Sequence, residues 1–195
     1  MELIGVIVGL RVQRSSLKVG QAPLRRYDPA PLQAVPALAL SQSGVTGLTE
    51  RGEPIVDVHN REHPASKNRS GANGISVGFT SHYDAMRARF GEHLIDGLAG
   101  ENILVQTDRP FGETDLAGGL LVETAGGATA RLDRVIVATP CVEFTRFALR
   151  HPDDARTDRA VKEALIFLDG GMRGYYTRYS GDPVAIRLGD RVYRG

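Results

Sequence analysis

Roughly nine or ten short runs of β-type residues, set apart by glycine and proline turns, are interrupted by only two stretches with helical periodicity. That order is the strongest constraint on the fold. Strands that do not alternate with helices cannot build a doubly wound parallel sheet. Glu2 to Val12 alternates and is rich in Ile, Val and Leu, as a strand is. Further strands are expected at Val35 to Leu40, Pro54 to Val58 and Asn102 to Gln106. Leu120 to Thr124 and Ala128 to Leu132 flank Gly126-Gly127, a hairpin signal, and Arg134 to Thr139 follows as a separate strand. Tyr175 to Tyr179 and Val184 to Leu188 are expected to pair across Ser180-Gly181-Asp182-Pro183, before a last strand at Arg191 to Tyr193. Thr80 is placed to cap a helix reaching about Phe90, with Tyr83, Met86 and Phe90 on one face and Gly91 as its stop. Thr157 is placed to cap a second, carrying Val161, Ala164, Leu165 and Leu168 at helical spacing. The expected fold is mainly β with two outer helices (α+β): a mixed or antiparallel, partly closed barrel, since closure removes exposed strand edges.

With 195 residues the chain is expected to form one domain spanning 1–195. Ser15 to Pro36, broken by Pro23, Pro29, Pro31 and Pro36, reads as a long connection within that domain. Lys+Arg number 24 against 23 Asp+Glu, and this balance argues against a general nucleic-acid binder. No apolar run approaches the ~18 residues of a membrane helix. Leu3 to Leu10 is short and lacks the basic start of a secretory signal. A single cysteine excludes an intramolecular disulfide. Together these point to a cytoplasmic protein without membrane or nucleic-acid partners.

Several motifs carry chemistry weakly. Gly74-Ile75-Ser76-Val77-Gly78 matches G-x-S-x-G, but a nucleophile elbow needs a strand before it and a helix straight after. An Asn-rich polar loop precedes this one, so a small-residue strand or turn is the better reading, and a hydrolase using Ser76 is the weakest function class. His59 and His63 have helical metal spacing, which Asn60 and Pro64 oppose. Arg61, His63, Lys67 and Arg69, with Ser66, Asn68 and Asn73, make a loop able to hold a phosphate. Composition alone favours a solvated loop there.

Cys141 is the most informative residue. A lone cysteine is usually a small buried hydrophobe. This one follows a strong strand and Pro140, where a thiolate can act as nucleophile or soft-metal ligand, with Arg146 or another Arg as a cationic neighbour.

Gly97-Leu98-Ala99-Gly100-Glu101-Asn102 resembles the "G-E-N" element of MOSC domains, the module named for the C-terminal part of molybdenum cofactor sulfurases. Thr139-Pro140-Cys141 resembles that family's segment ending in its signature cysteine, and Met172 to Tyr176 with Ile186 to Val192 resembles its closing hairpin and Gly-Asp turn. The ordered set spans about Glu2 to Tyr193 and is similar to a stand-alone member with a barrel of that type. Thr139 stands where the family often has Arg, so an anion contact there must come from elsewhere, from Arg69 or Arg173.

The resemblance implies a protein that binds molybdenum cofactor (molybdopterin) and works through Cys141. The sulfur either carries a persulfide to a metal–sulfur centre or ligates molybdenum while N-hydroxylated compounds are reduced. It implies Arg69, Asn68, Asn102, Arg173 and Gly174 as cofactor contacts. It further implies a cysteine desulfurase or an electron-transfer protein as partner, with pyridoxal phosphate on that desulfurase. The chain's Lys18, Lys67 and Lys162 sit in no Schiff-base setting. The alternative from another class is a non-catalytic barrel that holds an anionic metabolite.

Overall fold

The structure, a computed structural model, describes residues 1–151 and 157–195. Its strands are β1 (Glu2–Gln13), β2 (Lys18–Val19), β3 (Arg26–Tyr27), β4 (Leu32–Ala34), β5 (Ala37–Ser41), β6 (Gly44–Leu48), β7 (Pro54–Val56), β8 (Ile75–Phe79), β9 (Ile103–Gln106), β10 (Leu120–Glu123), β11 (Thr129–Val137), β12 (Tyr175–Arg178), β13 (Val184–Arg187) and β14 (Arg191–Arg194). The α-helices are α1 (Thr80–Phe90), α2 (Val142–Leu149) and α3 (Arg159–Leu168).

Seven strands form a ring in the order β14-β10-β11-β12-β8-β9-β1, closed where β1 pairs with β14. Only β8 and β9 run parallel within it. The fold is therefore a mixed β-barrel closed by hydrogen bonds. The 12-residue β1 is long enough to serve three partners in turn: β14 at its start, β9 in its middle and β4 at its end. Its register shifts between Leu3 and Gly5, and again between Ile7 and Gly9. A Cβ on Gly5 would lie 1.8 Å from the Gln106 carbonyl oxygen, so only glycine fits this crossing. Ile7, Leu10, Val77, Phe79, Val105, Val122 and Tyr175 fill the barrel interior. A second cluster, with Tyr83, Met86, Leu94, Phe144 and Leu168, packs the helices on the outside. No helix among the described residues is long and apolar enough to cross a membrane.

Several local expectations are corrected. Thr80 does not cap α1. Its hydroxyl accepts from Thr107 N (3.1 Å), and the N-cap is Phe79 without a side-chain bond. Asp158, not Thr157, caps α3, accepting from Val161 N at 2.9 Å. The two strands expected around Asp133 are one, β11, with Arg134 at φ 53° and a register shift between Asp133 and Ile136. Tyr175–Arg178 and Val184–Arg187 do not pair with each other. β12 lies between β11 and β8, while β13 leaves the barrel to pair with β5 in the sheet β13-β5-β6-β7. A third helix, α2, begins directly after Cys141.

Candidate functional site

Five connections meet at one mouth of the barrel: the ends of β1 and β11, the loop before β9, the turn before β12 and the loop after β7. They enclose a cavity of about 310 Å³ walled by Cys141, Arg173, Glu101, Tyr27, His59 and Tyr176, among others. Lys18 and Lys67 also reach this wall. The volume is at the small end of the ~300–1,000 Å³ range of small-molecule sites.

Cys141 is the N-cap of α2, in extended backbone (φ −110°, ψ 153°). Its carbonyl accepts from Thr145 N (3.0 Å) and Thr145 Oγ1 (2.9 Å), and its side chain takes no part in the cap. The half-buried sulfur thus stays available at the positive end of a helix dipole.

Arg173 is the cation beside it. Its Nη1 donates to Cys141 Sγ at 3.6 Å and its Nη2 to Ala99 O at 3.3 Å. The guanidinium stands 5.0 Å from the Phe144 ring centroid, and Phe144 is held edge-on by Tyr27 at 5.1 Å. Nε is buried without a hydrogen-bond partner. Burial works against this charge, but Cys141, Tyr27 and Tyr176 outweigh it and hold the Arg173 pKa above its ordinary value. Arg173 is therefore a fixed cation at the sulfur. Gly174, at φ +106°, brings this turn against β8: a Cβ there would sit 2.6 Å from Val77 O.

The Gly97–Asn102 segment forms the facing wall and is fixed by its carbonyls. Leu98 O accepts from Tyr27 OH (2.5 Å) and Gly100 O from Gln13 Nε2 (2.7 Å). Glu101 is buried, with Oε2 accepting from Tyr83 OH (2.9 Å) and Oε1 unpaired. Desolvation raises its pKa against the pull of Arg11 and Arg173.

Asn102 is not a cavity contact. Its Oδ1 accepts from Ser76 N (3.0 Å) and Ser76 Oγ (2.9 Å). Its Nδ2 donates to Arg11 O (3.2 Å) and Asp57 Oδ2 (2.9 Å). Both ends of the amide are used in joining β8, β1 and the loop after β7. The same pairing engages the Ser76 hydroxyl, which also accepts from Asn102 N (3.0 Å) within β8. Although α1 follows β8 directly, Ser76 is inside the strand and not at an elbow.

The loop 61–73 contributes Lys67 to the cavity wall but not its other candidates. Asn68 serves the loop itself, donating through Nδ2 to His59 O (2.9 Å) and accepting at Oδ1 from Asn73 N (3.2 Å). Arg69 is exposed and lies outside the cavity lining. Sequence reasoning missed Tyr27, Tyr176 and Lys18, which only the fold brings together. It also set aside His59, whose signal was the Asp57-Val58-His59 spacing, short enough for a side chain to bond its neighbour's ring. Among the described residues no group of three or more His, Cys, Asp or Glu could hold a metal ion.

Glu143, in the first turn of α2, fixes the β2–β3 segment over the cavity. Arg25 Nη2 approaches Glu143 Oε1 at 2.5 Å and Lys18 Nζ approaches Oε2 at 3.3 Å. Burial opposes ionisation, yet the backbone and these two cations bring the Glu143 pKa down to about 2. Because the folded-state value is depressed, this contribution is present above the unfolded value of 4.5 and is lost as pH falls toward about 2. Glu143→Gln is expected to cost about 1–2 kcal/mol at pH 7. Thermal denaturation of both proteins against pH checks this: the gap should close near pH 2.

No family model matches the chain, and no curated protein matches it in sequence. Its architecture does have counterparts. The YuaD protein from Bacillus subtilis superposes with a TM-score of 0.54 at 14% identity, over 97% of this chain and 94% of that one. The fold is MOSC-like. YiiM from Geobacillus stearothermophilus agrees, with a TM-score of 0.51 at 15% identity over 100% of this chain and 74% of that one. At these identities the likeness concerns the fold alone.

Proposed function

We propose that this protein binds molybdenum cofactor at the barrel mouth and works through Cys141. The observation that carries this reading is the contact of Arg173 Nη1 with Cys141 Sγ at 3.6 Å on the wall of a cavity. A cysteine that only packed would need no buried cation at its sulfur. The residues suit the group: a soft sulfur for a sulfur-ligated metal, the unpaired Nε of Arg173 and the nearby Lys18 and Lys67 for an anion. When bound, the cofactor would supply a molybdenum centre that exchanges sulfur or electrons. The chain's own part is to present Cys141 Sγ, hold Arg173 against it and exclude water with Tyr27 and Phe144. The sulfur acts as persulfide carrier, fed by a cysteine desulfurase that carries pyridoxal phosphate, or as molybdenum ligand in reducing N-hydroxylated compounds with an electron-transfer partner.

Elemental analysis of protein from a host that makes the cofactor tests this, comparing wild type with Cys141→Ser. Molybdenum in wild type and its loss from the variant is the result expected for direct ligation. Equal molybdenum in both, with persulfide on wild-type Cys141 by mass spectrometry, assigns sulfur carriage. Neither metal nor persulfide in wild type overturns the proposal.

A further inference from the structure

Asp57 is fully buried in the loop after β7, with four donors at its carboxylate. Oδ2 accepts from Gln13 N (2.7 Å) and Asn102 Nδ2 (2.9 Å). Oδ1 accepts from His59 N (2.8 Å) and stands 3.1 Å from His59 Nδ1. Two of these bonds tie the loop to β1 and to the residue before β9, and the His59 N bond closes the loop on itself. The ring contact does something else: it fixes an imidazole whose side chain is 31% exposed on the wall shared with Cys141 and Arg173. A carboxylate only accepts, so in the neutral ring Nδ1 carries the proton and Nε2 keeps its lone pair. A proton taken at Nε2 makes an imidazolium beside Asp57, the arrangement by which a buried carboxylate supports a general base.

We propose that His59 is the proton-transfer group of this cavity and Asp57 its positioning residue, serving sulfur transfer to Cys141 from an alkyl persulfide. The step rests on the sulfur-carriage reading above. His59 Nε2 takes the proton of the Cys141 thiol. The sulfur attacks the outer sulfur of the donor R–S–S–H, forming Cys141–S–S–H and breaking the donor's S–S bond. The leaving R–S⁻ takes the proton back from His59 as R–SH. Two thiol-level sulfurs and one sulfane sulfur stand on each side, so there is no net oxidation.

The test uses the full chain with glutathione persulfide, following sulfur on Cys141 by mass spectrometry in single turnover, and ¹⁵N NMR for the His59 tautomer. The expected results are a neutral Nδ1–H tautomer in wild type and uptake slowed about 100-fold in His59→Ala with an unchanged melting temperature. Added imidazole should restore part of that rate, which loss of a structural contact would not allow. An Nε2–H tautomer, or uptake in His59→Ala as fast as in wild type, overturns the assignment of His59 alone. No uptake by wild type overturns the sulfur-carriage reading, and this step with it.

Discussion

Asn102→Ala is expected to lower the melting temperature by roughly 10 °C. The variant leaves the buried Ser76 N, one oxygen of the buried Asp57 and the part-buried Arg11 O short of a partner. Each such orphan costs about 1–3 kcal/mol, so the sum is about 3 kcal/mol or more after relaxation. A chain of this size loses about 2–4 °C per kcal/mol. Calorimetry or circular dichroism melting measures this directly. A residue that merely touched a bound cofactor would leave the melting temperature of the ligand-free chain within a degree or two, and that result would refute the clamp.

Cys141→Ser should behave in the opposite way: chemistry lost, fold kept. The Cys141 carbonyl, not its sulfur, receives the bonds from Thr145 that start α2, and serine leaves them in place. The sulfur is half-buried at the edge of the Phe144 cluster, so a smaller oxygen costs less than about 1 kcal/mol. Activity through this residue should fall roughly 10³-fold or more, because a hydroxyl neither carries sulfane sulfur nor ligates a soft metal well. Paired measurements of turnover and melting temperature check both halves. Retained turnover would exclude Cys141 as the working group.

The sequence made the barrel readable because its strands carry their own punctuation. β1 alternates, Gly126-Gly127 turns β10 into β11, and Gly91 stops α1. What stayed hidden depended on partners distant in the chain. α2 lacks any side-chain cap and mixes β-branched with aromatic residues, so nothing local announces it. That β13 abandons β12 for β5 is decided by packing across the second sheet. For the site, Cys141 and Arg173 were legible as an ordered pair of motifs, and the fold places them in contact. Asn68, Arg69 and Asn102 have the right chemistry for an anion or a cofactor. The first and last spend their amides on backbone and buried side chains, and Arg69 faces solvent. His59 was set aside because Asn60 and Pro64 oppose a helix there, when its partner was the carboxylate two residues before it.

The ring closes between Glu2 and Arg194 at one end of the seam and Val6 and Arg191 at the other. These contacts join the first strand to the last, so their loop-closure entropy is nearly the largest the chain can offer, and such pairings form late. During synthesis, β1 emerges well before β14, and the edge that β14 covers stays open until β14 has left the ribosome. For that interval an unpaired strand of Ile, Val and Leu is available to neighbouring nascent chains. The closure that protects this edge in the mature barrel thus leaves the same edge exposed in the growing chain.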